Sequence, residues 1–408
     1  MRLQHCLRRT LSLLLAPAWL VLASCGGGSG PAPGLEPAVP TTWMQVSPGP
    51  TKIDGATITP TCSKAPGTDA DAGYRFFARR GAGKGLMVFF GGGGTCWNDE
   101  SCALPRTRDM GEDVHALYFA EIYPKDDPAN YQGLLSLSDP ANPVRDWSMV
   151  YVPNCTGDMH GGANTAVYTD PATKQPFSIE HRGVDNVKVV MEWVKANFPD
   201  PGQLLVAGSS AGAYGAIVHY PRIRRAYPQA SASLLADAPP MVMPAIFETT
   251  YKHNWNLQLD PEVYGSDAQA TPTADLVKTL AAHFPGDRFS QYATATDMTL
   301  MDYYDAMANG LNGVVQGSAC SAWMGGLRAG LAASQGAPNF RSYLAAGEWH
   351  TILGGTNRNS AGVPLFNREH SAAGVPFAGW VASQLSASGD GWTNAACTDC
   401  AAVPACPF

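Results

Sequence analysis

The residues with the types and spacing of nucleophilic catalysis lie in one stretch, Ala207-Gly208-Ser209-Ser210-Ala211-Gly212-Ala213-Tyr214-Gly215. Ser210 is the middle residue of Gly-x-Ser-x-Gly. It sits between an apolar run (Leu204-Leu205-Val206) and a helix-forming run from Ala213 to Tyr220. Strand, sharp turn and helix in that order make a nucleophile elbow. The turn must strain Ser210 so that its hydroxyl stands clear of the sheet. Glycine at 208 and 212 leaves room where strand and helix nearly collide. The start of the helix then aims N–H groups and a positive dipole end at the reacting atom. The chemistry this suits is attack on a carbonyl carbon. The competing reading is an ordinary turn rich in small residues; the pattern is common, and its strand–turn–helix context selects the catalytic one.

An activated serine needs a base within reach and an acid to orient that base. Five histidines follow Ser210: His219, His253, His283, His350 and His370. His219 falls on the elbow helix and is expected to point away, His253 falls in a stretch read as a lid, and His283 near a helix end. His350 lies just past Asn339 to Leu344, read as the last strand, where the base of such a fold belongs. Asp237 and Asp297 each close an expected strand. The usual acid of such a fold follows the second strand after the elbow strand, which favours Asp297 and leaves Asp237 to cap a turn or brace the elbow. Asp287 and Asp302 are distant alternatives. Asp158 and His160 could be read as a metal pair or a catalytic pair, but they precede the serine. They are expected to hold loops or line the pocket. No metal or organic cofactor is called for.

These residues need a frame. Tyr74 to Ala78, Leu86 to Phe90, Met149 to Pro153, Ala232 to Ala236 and Arg288 to Ala295 read as strands. Val184 to Asn197, Asp275 to Phe284, Ala322 to Ser334 and Phe377 to Leu385 read as helices. The expected fold is α/β-hydrolase-like: a mostly parallel sheet flanked by helices on both faces, with Met241 to Leu257 as a lid or cap insertion. Four glycines, Gly91 to Gly94, close the strand at Phe90 and place bare backbone beside the site, the setting for an oxyanion-hole N–H.

The chain has 408 residues, 15% charged, with a net charge of −7. That excludes the basic footprint of a nucleic-acid binder. Arg2, Arg8 and Arg9 precede an apolar run from Leu11 to Leu22 that is too short to span a membrane. Leu22-Ala23-Ser24-Cys25 and the glycines after it resemble a bacterial lipobox, with an ordinary secretory signal as the alternative. The organisation expected is a lipoprotein signal peptide over 1–24, a flexible Gly/Pro-rich tether over 25–40 and one domain over 41–408. Cys25 would be lipidated and the protein held at the bacterial cell envelope as a monomer. Of the ten cysteines, setting aside Cys6 and Cys25 leaves eight, an even number in an oxidising compartment. Cys96 and Cys102 are spaced to close a small loop. Cys397, Cys400 and Cys406 are expected to staple the tail, with Cys320 as a candidate partner. Zinc at Cys397-x-x-Cys400 is the alternative, without a second pair at suitable spacing.

Three segments together resemble the pectin acetylesterase and Notum carboxylesterase family. They are Gly91-Gly92-Gly93-Gly94-Thr95-Cys96-Trp97-Asn98, Tyr151-Val152-Pro153-Asn154-Cys155-Thr156-Gly157-Asp158-Met159-His160 and Gly208-Ser209-Ser210-Ala211-Gly212. The resemblance spans about Thr61 to His350. It implies Ser210 as nucleophile and an oxyanion hole from the N–H groups of Gly93, Gly94 and Ala211. Where relatives carry Gly-Gly-Trp, this chain has Gly-Gly-Gly-Thr, a departure that implies a roomier entrance. The resemblance implies a serine esterase acting on acetyl esters of polysaccharides. A polyester or lipid esterase of the same fold is the close alternative, and a non-catalytic surface-binding lipoprotein is the alternative from another class.

Overall fold

Apolar runs without polar alternation form strands only where both faces of a sheet are covered. Leu86 to Phe90 and Leu204 to Ala207 are such runs, and each is buried throughout. In the computed structural model the described residues are 38–68, 73–106, 117–311, 315–354, 362, 364–367, 374–398 and 400. The signal segment, Cys25, most of the tether, His370 and Cys406 lie outside them. Val39–Phe408 make one compact unit.

Among the described residues the central sheet has nine strands. In chain order they are β1 (Met44–Val46), β2 (Phe76–Arg79), β3 (Gly85–Phe90), β4 (Ser148–Val152), β5 (Gln203–Ser209), β6 (Ser231–Asp237), β7 (Arg288–Thr294), β8 (Phe340–Ala345) and β9 (Ala395–Ala396). In space they run β1-β2-β4-β3-β5-β6-β7-β8-β9. β1 and β2 pair antiparallel with their neighbours, and every pair from β4 to β9 is parallel. Parallel neighbours need long crossovers. The six longest helices among the described residues are α1 (Gly183–Asn197), α2 (Ala211–Ala226), α3 (Leu276–His283), α4 (Met298–Asn309), α5 (Gly317–Gln335) and α6 (Phe377–Leu385). The apolar positions Val184, Val187, Val190, Met191 and Val194 give α1 its buried face. α2 packs on β3, β5 and β6. It is fastened from below, because Tyr220 Oη and Arg224 Nε both donate to Asp287 Oδ2, at 2.9 and 2.7 Å.

Parallel pairing brings the C-terminal ends of β3, β5, β6, β7 and β8 to one edge, where sheets of this kind place ligands. Gly91, Ser210, Asp237, Asp297 and His350 all follow or close those ends. Sequence that leaves a parallel strand must turn out over that edge, which is why Gly91 and His350, far apart in the chain, line one cavity there.

Several expectations change. The strand at Phe340–Ala345 is not the last, since Ala395–Ala396 adds a short parallel strand beyond it. Asn164–Thr169 and Pro176–His181 form an antiparallel hairpin that the pattern did not reveal. Its alternation was masked by polar residues on both faces. The helix α4 was also not anticipated. The stretch Met241 to Leu257, read as a lid, drives Phe247, Trp255 and Leu257 into the core. Trp255 Nε1 donates to Cys96 O at 2.8 Å. Only its first residues approach the serine.

Cys62–Cys155 and Cys96–Cys102 are disulfides, and so are Cys397–Cys400, which answers the zinc alternative for that pair. Cys320 is also disulfide-bonded. Among the described residues no helix is long and apolar enough to cross a membrane.

Candidate active site

Ser210 occupies the turn between β5 and α2 with φ 57° and ψ −128°. A non-glycine residue held there is strained, and strain of this kind persists only where the surroundings impose it. A Cβ on Gly208 would lie 2.2 Å from Gly212 O, and one on Gly212 would lie 2.1 Å from Phe90 O. Strand, turn and neighbouring strand are therefore too close for any side chain.

His350 follows β8, held by Thr294 Oγ1 donating to Trp349 O at 2.8 Å. Its Nε2 lies 2.7 Å from Ser210 Oγ. Its Nδ1 lies 2.8 Å from Asp297 Oδ2 and 3.1 Å from Oδ1. A carboxylate only accepts, so Nδ1 carries the proton and Nε2 presents its lone pair to the serine hydroxyl. Asp297 is the N-cap of α4 and also accepts from Leu300 N at 2.9 Å. The helix start thus fixes the carboxylate. Burial of the imidazole works against its charged form. Asp297, by charge and hydrogen bond, and Asp237, by charge, outweigh that, and the His350 pKa is raised above its ordinary value.

Asp237 does not touch the imidazole by hydrogen bond. Its Oδ2 accepts from Ser209 Oγ at 2.8 Å, Ile352 N at 2.9 Å and Leu353 N at 2.8 Å. Of the remaining acid candidates, Asp287 serves the elbow helix and Asp302 lies exposed on α4. Of the other histidines, His253 and His283 are exposed. His219 is buried rather than turned outward, with Nε2 2.7 Å from His160 O.

The glycine loop is held by its carbonyls. Gly91 O lies 2.9 Å from His160 Nε2, Gly93 O accepts from Phe119 N at 2.8 Å, and Gly94 O accepts from Asn154 Nδ2 at 3.0 Å. In a trans peptide the N–H points opposite the preceding C=O. Holding the Gly93 carbonyl away therefore turns the Gly94 N–H the other way. The amides of Gly93, Gly94 and Ala211 make no hydrogen bond among the described residues. Burial pushes the His160 imidazole down to about 4, so it stays neutral and donates to Gly91 O. Its neighbour Asp158 is the hub of this loop, accepting from Thr156 Oγ1, His160 N, Gly162 N and Gly183 N. Neither residue faces Ser210 as a partner.

Two cavities meet at the serine. A cavity of about 300 Å³ is lined by Gly91 to Gly94, Phe119, Tyr131, Tyr151, Asn154, Ser210 and His350. A pocket of about 30 Å³ touches Ser210 and Ala211 and is walled by Met159, Val242, Met243, Leu300 and Met307. Tyr303, from α4, sets its hydroxyl against Leu117 O, and a Cβ on Gly94 would meet it at 2.4 Å. These wall residues escaped the sequence reading because α4 did. The signal was Asp297 as an N-cap followed by apolar residues at Leu300 and Met301.

A solved structure of the Wnt deacylase Notum from Drosophila is similar, at 17% identity over 84% of this chain and 94% of that chain, with a TM-score of 0.56. A second crystal form gives 18% identity, 80% and 90% coverage and a TM-score of 0.52. At these identities the likeness is one of fold. No curated protein matches the chain. The pectinacetylesterase family model matches residues 67–253, which include the glycine loop, the Asn154 to His160 loop and the serine turn. Over residues 67–253 this chain is similar to the pectinacetylesterases, and that stretch lies in an α/β-hydrolase-like sheet that runs on to β9.

Proposed function

We propose that this protein is an exported serine esterase that removes short acyl groups, acetyl above all, from a polymeric alcohol such as a polysaccharide. The observation that carries this reading is the unbroken hydrogen-bonded line from Asp297 through His350 to Ser210, with the free amides of Gly94 and Ala211 beside it. Ser210 Oγ attacks the ester carbonyl carbon while His350 Nε2 takes its proton. The carbonyl oxygen gains negative charge and is met by the amides of Gly93, Gly94 and Ala211. As the tetrahedral intermediate collapses, the proton passes to the departing alkoxide and the alcohol leaves. Water, deprotonated by His350, then attacks the acyl-serine, and the proton returns to Ser210 as the carboxylic acid departs. Asp297 holds the tautomer and balances the transient imidazolium charge.

Two pockets beside Ser210 support separate places for the acyl and alcohol sides. The pocket of about 30 Å³, walled by methionine, valine and leucine side chains, suits a short acyl group. The larger cavity, with its aromatic walls, takes the alcohol side. Export and anchoring rest on the lipobox at Cys25 and on the disulfides Cys62–Cys155 and Cys96–Cys102.

The test is a series of p-nitrophenyl acetate, butyrate and octanoate, together with acetate release from acetylated glycans. The expected order is acetate above butyrate, with octanoate barely turned over. A fluorophosphonate probe separates an enzyme from a binding protein of the same fold. Failure to label Ser210, or a preference for octanoate, overturns the reading.

A further inference from the structure

Asp237 closes β6 beside the serine turn and is fully buried. We propose that Asp237 is a positioning residue for acyl transfer, tying the shoulder of the serine turn to the loop that carries His350. The proposal rests on the reading of Ser210 and His350 given above.

The carboxylate concentrates its hydrogen bonds on one oxygen. Oδ2 accepts from Ser209 Oγ, one residue before Ser210, and from Ile352 N and Leu353 N, two and three residues after His350. The backbone joins in, since Asp237 O accepts from Ser210 N at 2.9 Å. Four hydrogen bonds from one residue thus reach both halves of a contact whose parts are 140 positions apart in the chain. Asp237 Oδ1, by contrast, is buried and accepts none. A residue retained only to stabilise a turn would be poorly chosen here. A buried carboxylate is costly, and half of its accepting capacity is unused. Burial pushes the carboxyl up to about 6, against the pull of those same hydrogen bonds. What the arrangement secures is distance. The carbonyls of the His350 loop are held from elsewhere, Leu353 O by Leu134 N at 2.9 Å and Gly354 O by Gln132 N at 2.8 Å. Asp237 connects the amides of Ile352 and Leu353 in this loop to the serine turn. Misplacing a reacting group by an ångström costs about 10²-fold in rate.

Charge adds a second effect. The titratable groups facing Asp237 are His350 and, on β7, Tyr292. Asp237 is one of the two carboxylates that hold the His350 proton.

The experiment compares Asp237→Asn and Asp237→Ala with wild type on one aryl acetate, reading kcat, KM, melting temperature and the pH profile. Asn keeps an accepting oxygen and removes the charge. Its kcat is expected to fall about 10-fold, with KM within about two-fold, melting temperature at neutral pH not lowered, and the acidic limb moved to lower pH. Ala removes the tie as well, and kcat should fall about 10²-fold. A folded Asp237→Ala with wild-type kcat overturns the proposal. So does an Asp237→Asn protein whose kcat and acidic limb match wild type, which decides the matter if the Ala variant does not fold. Should the wild type neither hydrolyse esters nor label at Ser210, the parent reading has failed. An active wild type with unaffected Asp237 variants sinks this proposal alone.

Discussion

Ser209 and Ser210 are adjacent in the chain, yet their hydroxyls go to different partners. Ser209 Oγ donates to Asp237 Oδ2 at 2.8 Å, and Ser210 Oγ meets His350 Nε2 at 2.7 Å. The positive φ of Ser210 turns the chain between them, so one hydroxyl enters the sheet edge and the other the cavity.

The two serines should therefore separate cleanly by mutation. Ser210→Ala is expected to lower kcat on the order of 10³-fold or more and to abolish fluorophosphonate labelling. Ser209→Ala removes one bond to a brace and should cost only a few-fold. Steady-state kinetics on one aryl ester check this, and equal losses in both variants would refute the assignment.

Asp297→Asn tests the acid. Asn is as good an N-cap as Asp, so α4 and the fold should persist. Its amide cannot hold the His350 tautomer, and kcat should fall on the order of 10⁴-fold with little change in KM. An active Asp297→Asn enzyme would move the acid elsewhere.

Activity should also report the His350 proton. Only neutral imidazole can take the serine proton, and the His350 pKa is raised by Asp297 and Asp237 against burial. The rate should rise with pH through an acidic limb placed above that of an ordinary histidine, about 6.5. In Asp237→Asn the limb should move down, because one carboxylate that favours the imidazolium is gone. A kcat/KM profile over pH with the limb at or below the ordinary value would contradict this.

The disulfides Cys62–Cys155 and Cys96–Cys102 should differ in worth. Cys62–Cys155 spans 93 residues and Cys96–Cys102 spans 6. Loop closure alone gives about 4–5 and about 2 kcal/mol respectively. Calorimetry of Cys62→Ser/Cys155→Ser and Cys96→Ser/Cys102→Ser is expected to show the larger fall in melting temperature for the first pair.

Anchoring is tested at Cys25. Wild type should sediment with membranes and take up labelled palmitate, since several acyl chains together hold a protein at a bilayer. Cys25→Ala should stay in the soluble fraction, and palmitate uptake that persists in it would exclude this cysteine as the anchor.

Local pattern was sufficient for much of this protein. Unbroken apolar runs marked β3 and β5, and a 3.6-residue period marked α1, because burial on two faces or one stripe leaves a direct trace in sequence. Gly208 and Gly212 marked the serine turn, because only glycine fits where backbone meets backbone. What local pattern could not decide was the use of like residues. Asp237 and Asp297 both lie at the C-terminal edge of the sheet, and local pattern does not say which of them meets the imidazole. The crossover geometry does, since it brings α4 and its cap to His350 Nδ1 and turns Asp237 toward Ser209 and the amides behind His350. The small pocket was equally hidden. Met159, Val242, Leu300 and Met307 come from three separate segments, each apolar for reasons of packing alone. Their common function arises from distance in space, which a chain records only once it has folded.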